Sequence, residues 1–172
     1  MTTIALLSHS QALAALDGLV GILIDSVNNG ASVGFLPPLA AEEAAAYWQG
    51  VCTEVGRGQV LLFAAYADGQ LAGTAQLQPS PKANGRIRAE VAKVLVHSAF
   101  RRRGIGRALM DALEAEARRL NRTTLVLDTR LGDAGEALYT KCGYTKVGII
   151  PAYVINENGE PDATVIYYKL LT

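Results

Sequence analysis

The chain has 172 residues, half of them hydrophobic, and its 16 Lys and Arg residues balance 16 Asp and Glu residues. This length and apolar fraction fit one domain with a substantial core and exclude a largely disordered chain. Zero net charge argues against a protein that coats nucleic acid or an anionic membrane, and no apolar run is long enough to span a bilayer.

Hydrophobic periodicity predicts strands and helices along most of the chain. In chain order the predicted elements are a strand at 4–7, helices at 11–27 and 40–55, strands at 59–67, 70–78 and 87–97, a helix at 104–120, a strand at 123–129, a helix at 133–142, and strands at 144–154 and 164–171. The charged residues Glu114, Glu116, Arg118 and Arg119 are expected at solvated positions of the helix at 104–120. This order indicates an α/β or α+β fold with a mixed sheet.

The cysteines, histidines and first residues contain no pattern for a disulfide, a metal or export. Cys52 and Cys142 lie far apart and outside any C-x-x-C pattern, so neither a disulfide framework nor a zinc site is expected. His9 and His97 have no ligand-like companions, which argues against a metal site. Residues 1–16 lack the features of a signal peptide. We therefore expect a cytoplasmic protein with reduced thiols.

The positive charge is unevenly distributed along the chain. Four of the 16 basic residues fall in the turn R-R-R-G-I-G-R at 101–107, between a predicted strand and a predicted helix. The first N–H groups of a helix have no partner inside it, glycines let the backbone approach an anion, and arginines add forked hydrogen bonds. The pattern predicts a pyrophosphate site. The alternative is a solvated basic loop before a surface helix, because short glycine motifs often match by chance.

Two well-known phosphate motifs do not fit this turn. The Walker A motif needs Gly-Lys-Ser/Thr, but Gly106 is followed by Arg107 and Ala108. The dinucleotide fingerprint needs a third glycine where this chain has Leu109, although Asp128 lies about where a ribose-binding acid is expected.

Residues 94–109 resemble the acetyl-CoA site of the GNAT acyltransferase superfamily, a strand followed by Q/R-x-x-G-x-G/A. Arg101 takes the Q/R position, and Gly104 and Gly106 take the two small positions. A second block, A-L-Y-T-K-C-G-Y at 137–144, is similar to the A-x-x-L-Y-x-K-x-G-F/Y block of the superfamily. Gly132 stands where relatives often have an Asn that contacts the CoA arm.

The tabtoxin-resistance acetyltransferase branch is the closest resemblance, and it extends over nearly the whole chain. It is carried by the segments at 30–35, 89–91, 127–129 and 166–169. The resemblance implies a single acetyltransferase domain at 1–172 with the GNAT fold, a central and mostly antiparallel sheet flanked by four helices. It also implies acetyl-CoA as co-substrate, a small-molecule acceptor, no metal, no nucleic acid, no membrane, and a monomer or homodimer.

The resemblance assigns the cofactor to the strand and turn before the helix at 104–120. It implies that backbone groups of Val94 and Val96 pair with the pantetheine arm, and that the Val94 N–H meets the thioester carbonyl. The implied cofactor-binding residues are Val94, Leu95, Val96, Arg101, Arg102, Arg103, Gly104, Ile105, Gly106 and Arg107.

Glu90 is the candidate general base, because it precedes Gly104 by the spacing at which several GNAT relatives carry a catalytic Glu. Strand alternation is expected to place Glu90, Val94 and Val96 on one face. An acid on an otherwise apolar face should be partly desolvated and therefore a stronger base. The alternative is an edge carboxylate paired with Arg86 or Arg88.

Asp128 and Tyr139 are the other candidate catalytic residues. Asp128 is predicted at the end of a strand, where ligands of open α/β sheets bind, and could orient the attacking group, hold an ammonium or share base duty. The alternative is a helix-capping or turn acid. Tyr139 matches the general acid of the superfamily for the CoA thiolate, and its alternative is a core tyrosine.

The glycine-rich loop at 28–34 resembles the acceptor-side wall, with Ser32 and Phe35 as candidate substrate-binding residues and Tyr47 and Trp48 as further lining. For Trp48 a core position is the favoured alternative. The expected reaction is acetyl transfer to an amine or hydroxyl of a small molecule, such as an amino-acid-like toxin or antibiotic. The alternatives are a protein N-acetyltransferase and a non-catalytic acyl-CoA sensor.

Overall fold

The computed structural model describes residues 1–171. The strands are β1 (Thr2–Leu7), β2 (Leu61–Ala67), β3 (Gln70–Pro79), β4 (Arg88–Val96), β5 (Thr124–Arg130), β6 (Thr145–Ile155) and β7 (Pro161–Leu170). The helices are α1 (His9–Ala14), α2 (Leu16–Asn28), α3 (Ala41–Gly56), α4 (Ile105–Arg119) and α5 (Ala134–Lys141), with short 3-10 turns at Ala83–Gly85 and Ser98–Phe100.

The seven strands form one sheet in the order β1-β2-β3-β4-β5-β7-β6. Every neighbouring pair is antiparallel except β4 and β5, which are parallel. The expectation of a mixed α/β fold with a mostly antiparallel sheet is therefore confirmed. None of the helices among the described residues has the length and apolarity needed to cross a membrane.

The structure has five α-helices where four were expected, because the predicted helix at 11–27 is two helices. Ser8 begins α1 with a reciprocal capping box to Gln11, and the chain leaves helical geometry at Ala15, with φ −88° and ψ 0°. Ala12 of α1 and Leu19 of α2 are both buried in one apolar cluster. The apolar spacing continues across the break, so periodicity alone did not reveal it.

Two apolar clusters lie on opposite faces of the sheet. We call the surface packed on α4 the α4 face and the surface packed on α1, α2 and α3 the α3 face. On the α4 face, Ile105, Leu109 and Leu113 of α4 pack among buried sheet residues. On the α3 face, Leu23 and Trp48 are fully buried in a cluster that includes Leu62 of β2. The sheet therefore has a hydrophobic core on each of its two faces.

The parallel pairing of β4 and β5 is short. It extends only from Arg88–Thr124 to Glu90–Val126, whereas β4 continues to Val96 and β5 to Arg130. The two strands therefore separate beyond Glu90 and Val126. We call this opening the β4–β5 gap. Backbone groups on the edge of β4 that faces the gap have no ladder partner from β5, and such groups require another partner or water.

A β-bulge in β4 overturns the predicted face of Glu90. Gln76 of β3 pairs with Ala92 and Thr74 pairs with Leu95, so β4 carries one extra residue, and Lys93 has φ +50°. Glu90 faces the α3 side. After the extra residue the alternation reverses, and Val94 and Val96 pack with the α4-face cluster. The expectation that these three residues share a face is wrong for this reason.

Glu114 of α4 is buried, contrary to the expectation that it is solvated. It is 4% exposed, and its Oε2 accepts a hydrogen bond of 2.6 Å from Nζ of Lys169 in β7. The same Nζ donates to the carbonyl of Cys142 at 2.6 Å. The amphipathic pattern of α4 could not reveal that β7 supplies a cation opposite one charged position.

Candidate active site

The turn between β4 and α4 contains two residues in left-handed conformations. Arg102 has φ +62°, and Gly104, the residue before the first helical residue Ile105, has φ +78°. No side chain caps the N-terminus of α4 within the described chain. The first N–H groups of α4 are therefore open to an external anion, at the positive end of the helix dipole.

The four arginines of this turn are held in different ways. Arg103 forms a 2.7 Å ion pair with Asp68 in the β2–β3 hairpin, and Arg107 bonds Asp111 at 2.8 Å within α4. Arg101 makes only a 3.4 Å contact to a β4 carbonyl. Arg102 is exposed and makes no ion pair among residues 1–171. The sequence grouped these side chains, and the structure leaves Arg101 and Arg102 the least engaged.

Glycine is required at positions 104 and 106 for different structural reasons. Gly104 adopts a positive φ that other residues rarely adopt. At Gly106, a Cβ would lie 3.2 Å from Leu138 Cδ2, so glycine lets α4 pack closely against α5. The motif thus serves the packing of the two helices as well as the open N-terminus.

The side chains of the candidate cofactor-binding segment, residues 94–96, are packed into the two apolar clusters. Val94 and Val96 pack against the α4-face cluster, and Leu95 is buried in the α3-face cluster. What this segment offers the β4–β5 gap is therefore backbone, which agrees with the expected pairing through N–H and C=O groups.

A cleft of about 720 Å³ opens on the α3 face, lined by Tyr47, Gln76, Gln78, Glu90 and Val126 among others. Gln76 is 1% exposed, and its Nε2 donates to the Tyr47 hydroxyl at 2.9 Å. Gln78 donates to Gln76 at 3.0 Å. These hydrogen bonds hold polar side chains in fixed positions beside apolar residues such as Val126. Small-molecule sites usually combine apolar lining with a few fixed polar groups.

Glu90 lies at this cleft with an exposed side chain. The expectation that Glu90 is desolvated is wrong. Because of the bulge, its side chain does not lie on the same face of β4 as the apolar side chains of Val94 and Val96. The alternative pairing is not seen either: within the described part of the chain, Glu90 makes no ion pair with Arg86 or Arg88, although Arg88 lines the same cleft. Glu90 is thus an open carboxylate accessible to a bound molecule.

Asp128 lies two residues beyond the last β4–β5 pair, so it borders the β4–β5 gap. It does not end its strand, because β5 continues to Arg130. The Thr164 hydroxyl of β7 donates to Asp128 Oδ2 at 2.8 Å. This bond orients the carboxylate and leaves its other oxygen without a side-chain donor among residues 1–171.

Lys93 lies beside Tyr47 of the candidate site, and the sequence patterns did not predict this position. Its Nζ lies 5.4 Å from the centre of the Tyr47 ring, and a Cβ on Gly34 would approach Nζ to 3.9 Å. Burial lowers the pKa of Lys93, and the carboxylates of Asp128 and Glu90 partly offset that effect. The available signal was a single lysine inside the apolar run at 87–97.

Tyr139 of α5 approaches the same region from the α4 face. It is 8% exposed and meets Tyr144 edge-on, with ring centres 6.0 Å apart. Burial, with smaller contributions from Cys142 and Asp128, raises the pKa of Tyr139. The phenol therefore stays protonated at neutral pH and is available as a hydrogen-bond donor.

The predicted acceptor-side loop is anchored from across the sheet. Arg130 Nη2 donates to the Gly30 carbonyl at 2.8 Å while the same guanidinium bonds Asp133. Phe35 packs edge-on against Tyr47, with ring centres 5.3 Å apart, and Ser32 is half-buried in the same loop. Trp48 is fully buried, as the core alternative predicted.

The predicted residues thus lie on both faces of the sheet. Glu90, Asp128 and Phe35 lie on the α3 side, together with the unpredicted Lys93, and Tyr139 lies on the α4 side. No group of three or more His, Cys, Asp or Glu residues suited to a metal ion occurs in residues 1–171.

The model of the acetyltransferase (GNAT) family matches residues 26–144. A curated relative from Azospirillum brasilense, described as an uncharacterized N-acetyltransferase in the hisH-hisA intergenic region, is 36% identical over 109 residues. This match covers 62% of this chain and 62% of the length of that relative.

Solved structures share the fold. The ribosomal-protein-alanine N-acetyltransferase from Brucella melitensis is 25% identical with a TM-score of 0.82, over 98% of this chain and 99% of that one. The structure of yncA from Salmonella typhimurium with its cofactor acetyl-CoA has a TM-score of 0.77 at 19% identity, over 100% and 95% of the two chains, and shows the fold alone. With its matched family model, its sheet topology and its strand–turn–helix motif, the chain belongs to the acetyltransferase (GNAT) family.

Proposed function

We propose that the chain transfers the acetyl group of acetyl-CoA to an amine of a small molecule. The observation that carries this proposal is the β4–β5 gap. An unpaired backbone edge of β4, the uncapped N-terminus of α4, and the carboxylates Glu90 and Asp128 all border or adjoin it. Acyl transfer requires these three elements: a positioned thioester, an anion site and a base.

The proposed cofactor site runs along β4 and ends at α4. Val94, Leu95 and Val96 would pair through their backbone with the pantetheine arm, and the Val94 N–H would bond the thioester carbonyl, where charge develops during attack. The N–H groups of Gly104, Ile105, Gly106 and Arg107 would hold the pyrophosphate. Arg101 and Arg102 would supply charge directly. Arg103 would act by holding the turn, since it is paired with Asp68.

The proposed chemistry divides the proton transfers between the two sides. Glu90 or Asp128 accepts the proton of the acceptor ammonium on the α3 side, and the freed amine attacks the thioester carbon. The C–S bond then breaks, and Tyr139 donates a proton to the departing thiolate. The raised pKa keeps Tyr139 protonated before the C–S bond breaks and makes the phenol a weaker acid than a thiol, so its hydrogen bond to the new thiolate precedes the proton transfer, and the tyrosinate regains a proton from the attacking nitrogen.

The acceptor is proposed to enter the cleft at Tyr47, against which Phe35 of the loop that carries Ser32 packs. An amine is favoured over a hydroxyl because the curated relative is named an N-acetyltransferase. The resemblance to the tabtoxin-resistance branch suggests an amino-acid-like toxin or antibiotic, and a resistance role stays part of the proposal. A protein N-terminus is the second candidate, supported by the likeness to a ribosomal-protein-alanine N-acetyltransferase across 98% of this chain.

The test is an acceptor screen with acetyl-CoA and a thiol readout. One panel holds free amino acids and small amines, and the other holds peptides with free N-termini. Release of CoA only with members of the first panel supports the small-molecule acceptor, and release only with the second supports the alternative. Tight CoA binding without turnover of either panel would contradict the enzyme proposal and favour a sensor.

A further inference from the structure

We propose that Lys93 is an internal acetyl acceptor, so that the protein acetylates its own Lys93 when acetyl-CoA is bound and no external amine occupies the cleft. The inference rests on the proposed function, because it needs acetyl-CoA in the β4–β5 gap. Nothing in the motif assigns a role to this side chain, which lies in the environment expected for the amine of an acceptor.

The backbone of Lys93 brings its amine to the acceptor side. A lysine at φ +50° adopts a conformation that non-glycine residues rarely take, and such residues concentrate at functional sites. The bulge at this residue reverses the alternation of β4, and the Lys93 side chain extends toward Tyr47 of α3 rather than toward α4. Its Cα lies next to Val94, the proposed partner of the thioester carbonyl.

The Lys93 amine is held in a partly dry position without a fixed partner. The Tyr47 ring and the backbone of Gly34 flank Nζ. Within residues 1–171, Nζ donates no hydrogen bond and forms no ion pair at the 4.0 Å limit. Glu90 and Asp128 are the opposite charges that act on it. Its lowered pKa leaves a larger neutral, nucleophilic fraction than an exposed lysine has.

The step balances with groups already described. Glu90 or Asp128 takes the proton of the Lys93 ammonium, and Nζ attacks the acetyl carbon of the thioester. An N–C amide bond forms and the C–S bond breaks. Nζ loses its second proton as the amide forms, and the CoA thiolate takes up one proton by way of Tyr139. The product is a neutral acetyl-lysine facing Tyr47. Because it removes a cation and adds bulk beside Tyr47, which lines the cleft, we expect the modified protein to turn over external amines more slowly.

The experiment uses the purified full chain with acetyl-CoA and no acceptor, followed by peptide mass mapping over time. We expect Lys93 to gain one acetyl group at least about tenfold faster than the exposed Lys141 and Lys146, which do not line the cleft. The substitution K93R removes the signal and verifies its assignment. E90Q combined with D128N should slow acetylation of Lys93 and leave that of these two exposed lysines unchanged.

The outcomes separate this inference from the proposed function. Acetylation of Lys93 no faster than of the exposed lysines, or none at all, overturns the inference. If external amines are still acetylated in that case, the proposed function stands alone. If CoA neither binds nor turns over, both fall. A second control uses chain that has been unfolded irreversibly by heating in acid. If Lys93 is still acetylated faster than the other lysines there, its reactivity comes from the local sequence, and the inference is also overturned.

Discussion

On the α4 face, the candidate cofactor groups come from one continuous stretch, residues 94–107, whereas the groups of the α3-face cleft come from separate parts of the chain. Tyr47, Gln76, Glu90 and Val126 belong to one helix and three different strands. The first region is a local turn whose chemistry follows from backbone geometry. The second exists only where distant elements converge, so its chemistry depends on their packing.

We expect the largest effect when the proposed bases on the α3 side are removed. E90Q combined with D128N should lower kcat by about 10²–10⁴-fold, the usual contribution of a general base. CoA affinity should change little, because the proposed cofactor contacts come from the backbone of β4 and from the turn and N-terminus of α4 rather than from these two carboxylates. Stopped-flow turnover and calorimetric CoA binding measure the two properties, and the single variants show which acid is required. Full turnover by the double variant would contradict the assignment of both.

The next effect concerns folding on the α4 face. K169M removes the 2.6 Å bond from the Lys169 ammonium and leaves the 4% exposed Glu114 only the 3.8 Å contact with Arg118, so we expect a loss of about 1.5–3 kcal/mol. Urea unfolding should show this loss in the free energy of unfolding. R57M is the matched control, because it breaks the exposed Arg57–Glu54 pair and should cost less than about 1 kcal/mol. Equal losses in the two variants would contradict the burial argument.

A smaller effect tests the phosphate role of the turn. R102E should weaken CoA binding by about 10–100-fold, the equivalent of one or two hydrogen bonds to a charged group. Binding of a pantetheine fragment without phosphates should be unaffected, and the loss should shrink at high salt. R57E, a charge reversal at the end of α3, serves as the control. Equal weakening for CoA and the fragment would refute the phosphate role of Arg102.

The smallest effect tests the anchoring of the acceptor loop. R130M removes the 2.8 Å bond to the Gly30 carbonyl, so the loop that carries Ser32 and Phe35 should lose its fixed position. We expect the acceptor KM to rise about 5–10-fold, in line with the loss of one such bond. CoA affinity and kcat should change less. Partial recovery by R130K would support positioning, and a fall in kcat without a change in KM would contradict it.

Much of the fold was predictable because strands and helices are largely local. The seven strands and the helices α3, α4 and α5 occur within a few residues of their predicted positions, since periodicity and turn residues mark them. The split of the first predicted helix at Ala15 was not predictable, because the apolar spacing continues through it. Tertiary packing distinguishes the two helices, because α1 packs on α3 and β1, whereas α2 packs on α3, β3 and β4.

The candidate site divides in the same way. The sequence by itself determined the family and the strand–turn–helix motif, because a run of glycines and arginines before a helix carries its chemistry in adjacent residues. Only the tertiary structure decided that Glu90 faces the α3 side as an exposed carboxylate, that the Lys93 ammonium lies beside the Tyr47 ring, and that Glu114 is buried. The physical reason is that each depends on contacts across the sheet: the bulge of β4 against β3, the Tyr47 ring of α3, and the Lys169 ammonium of β7.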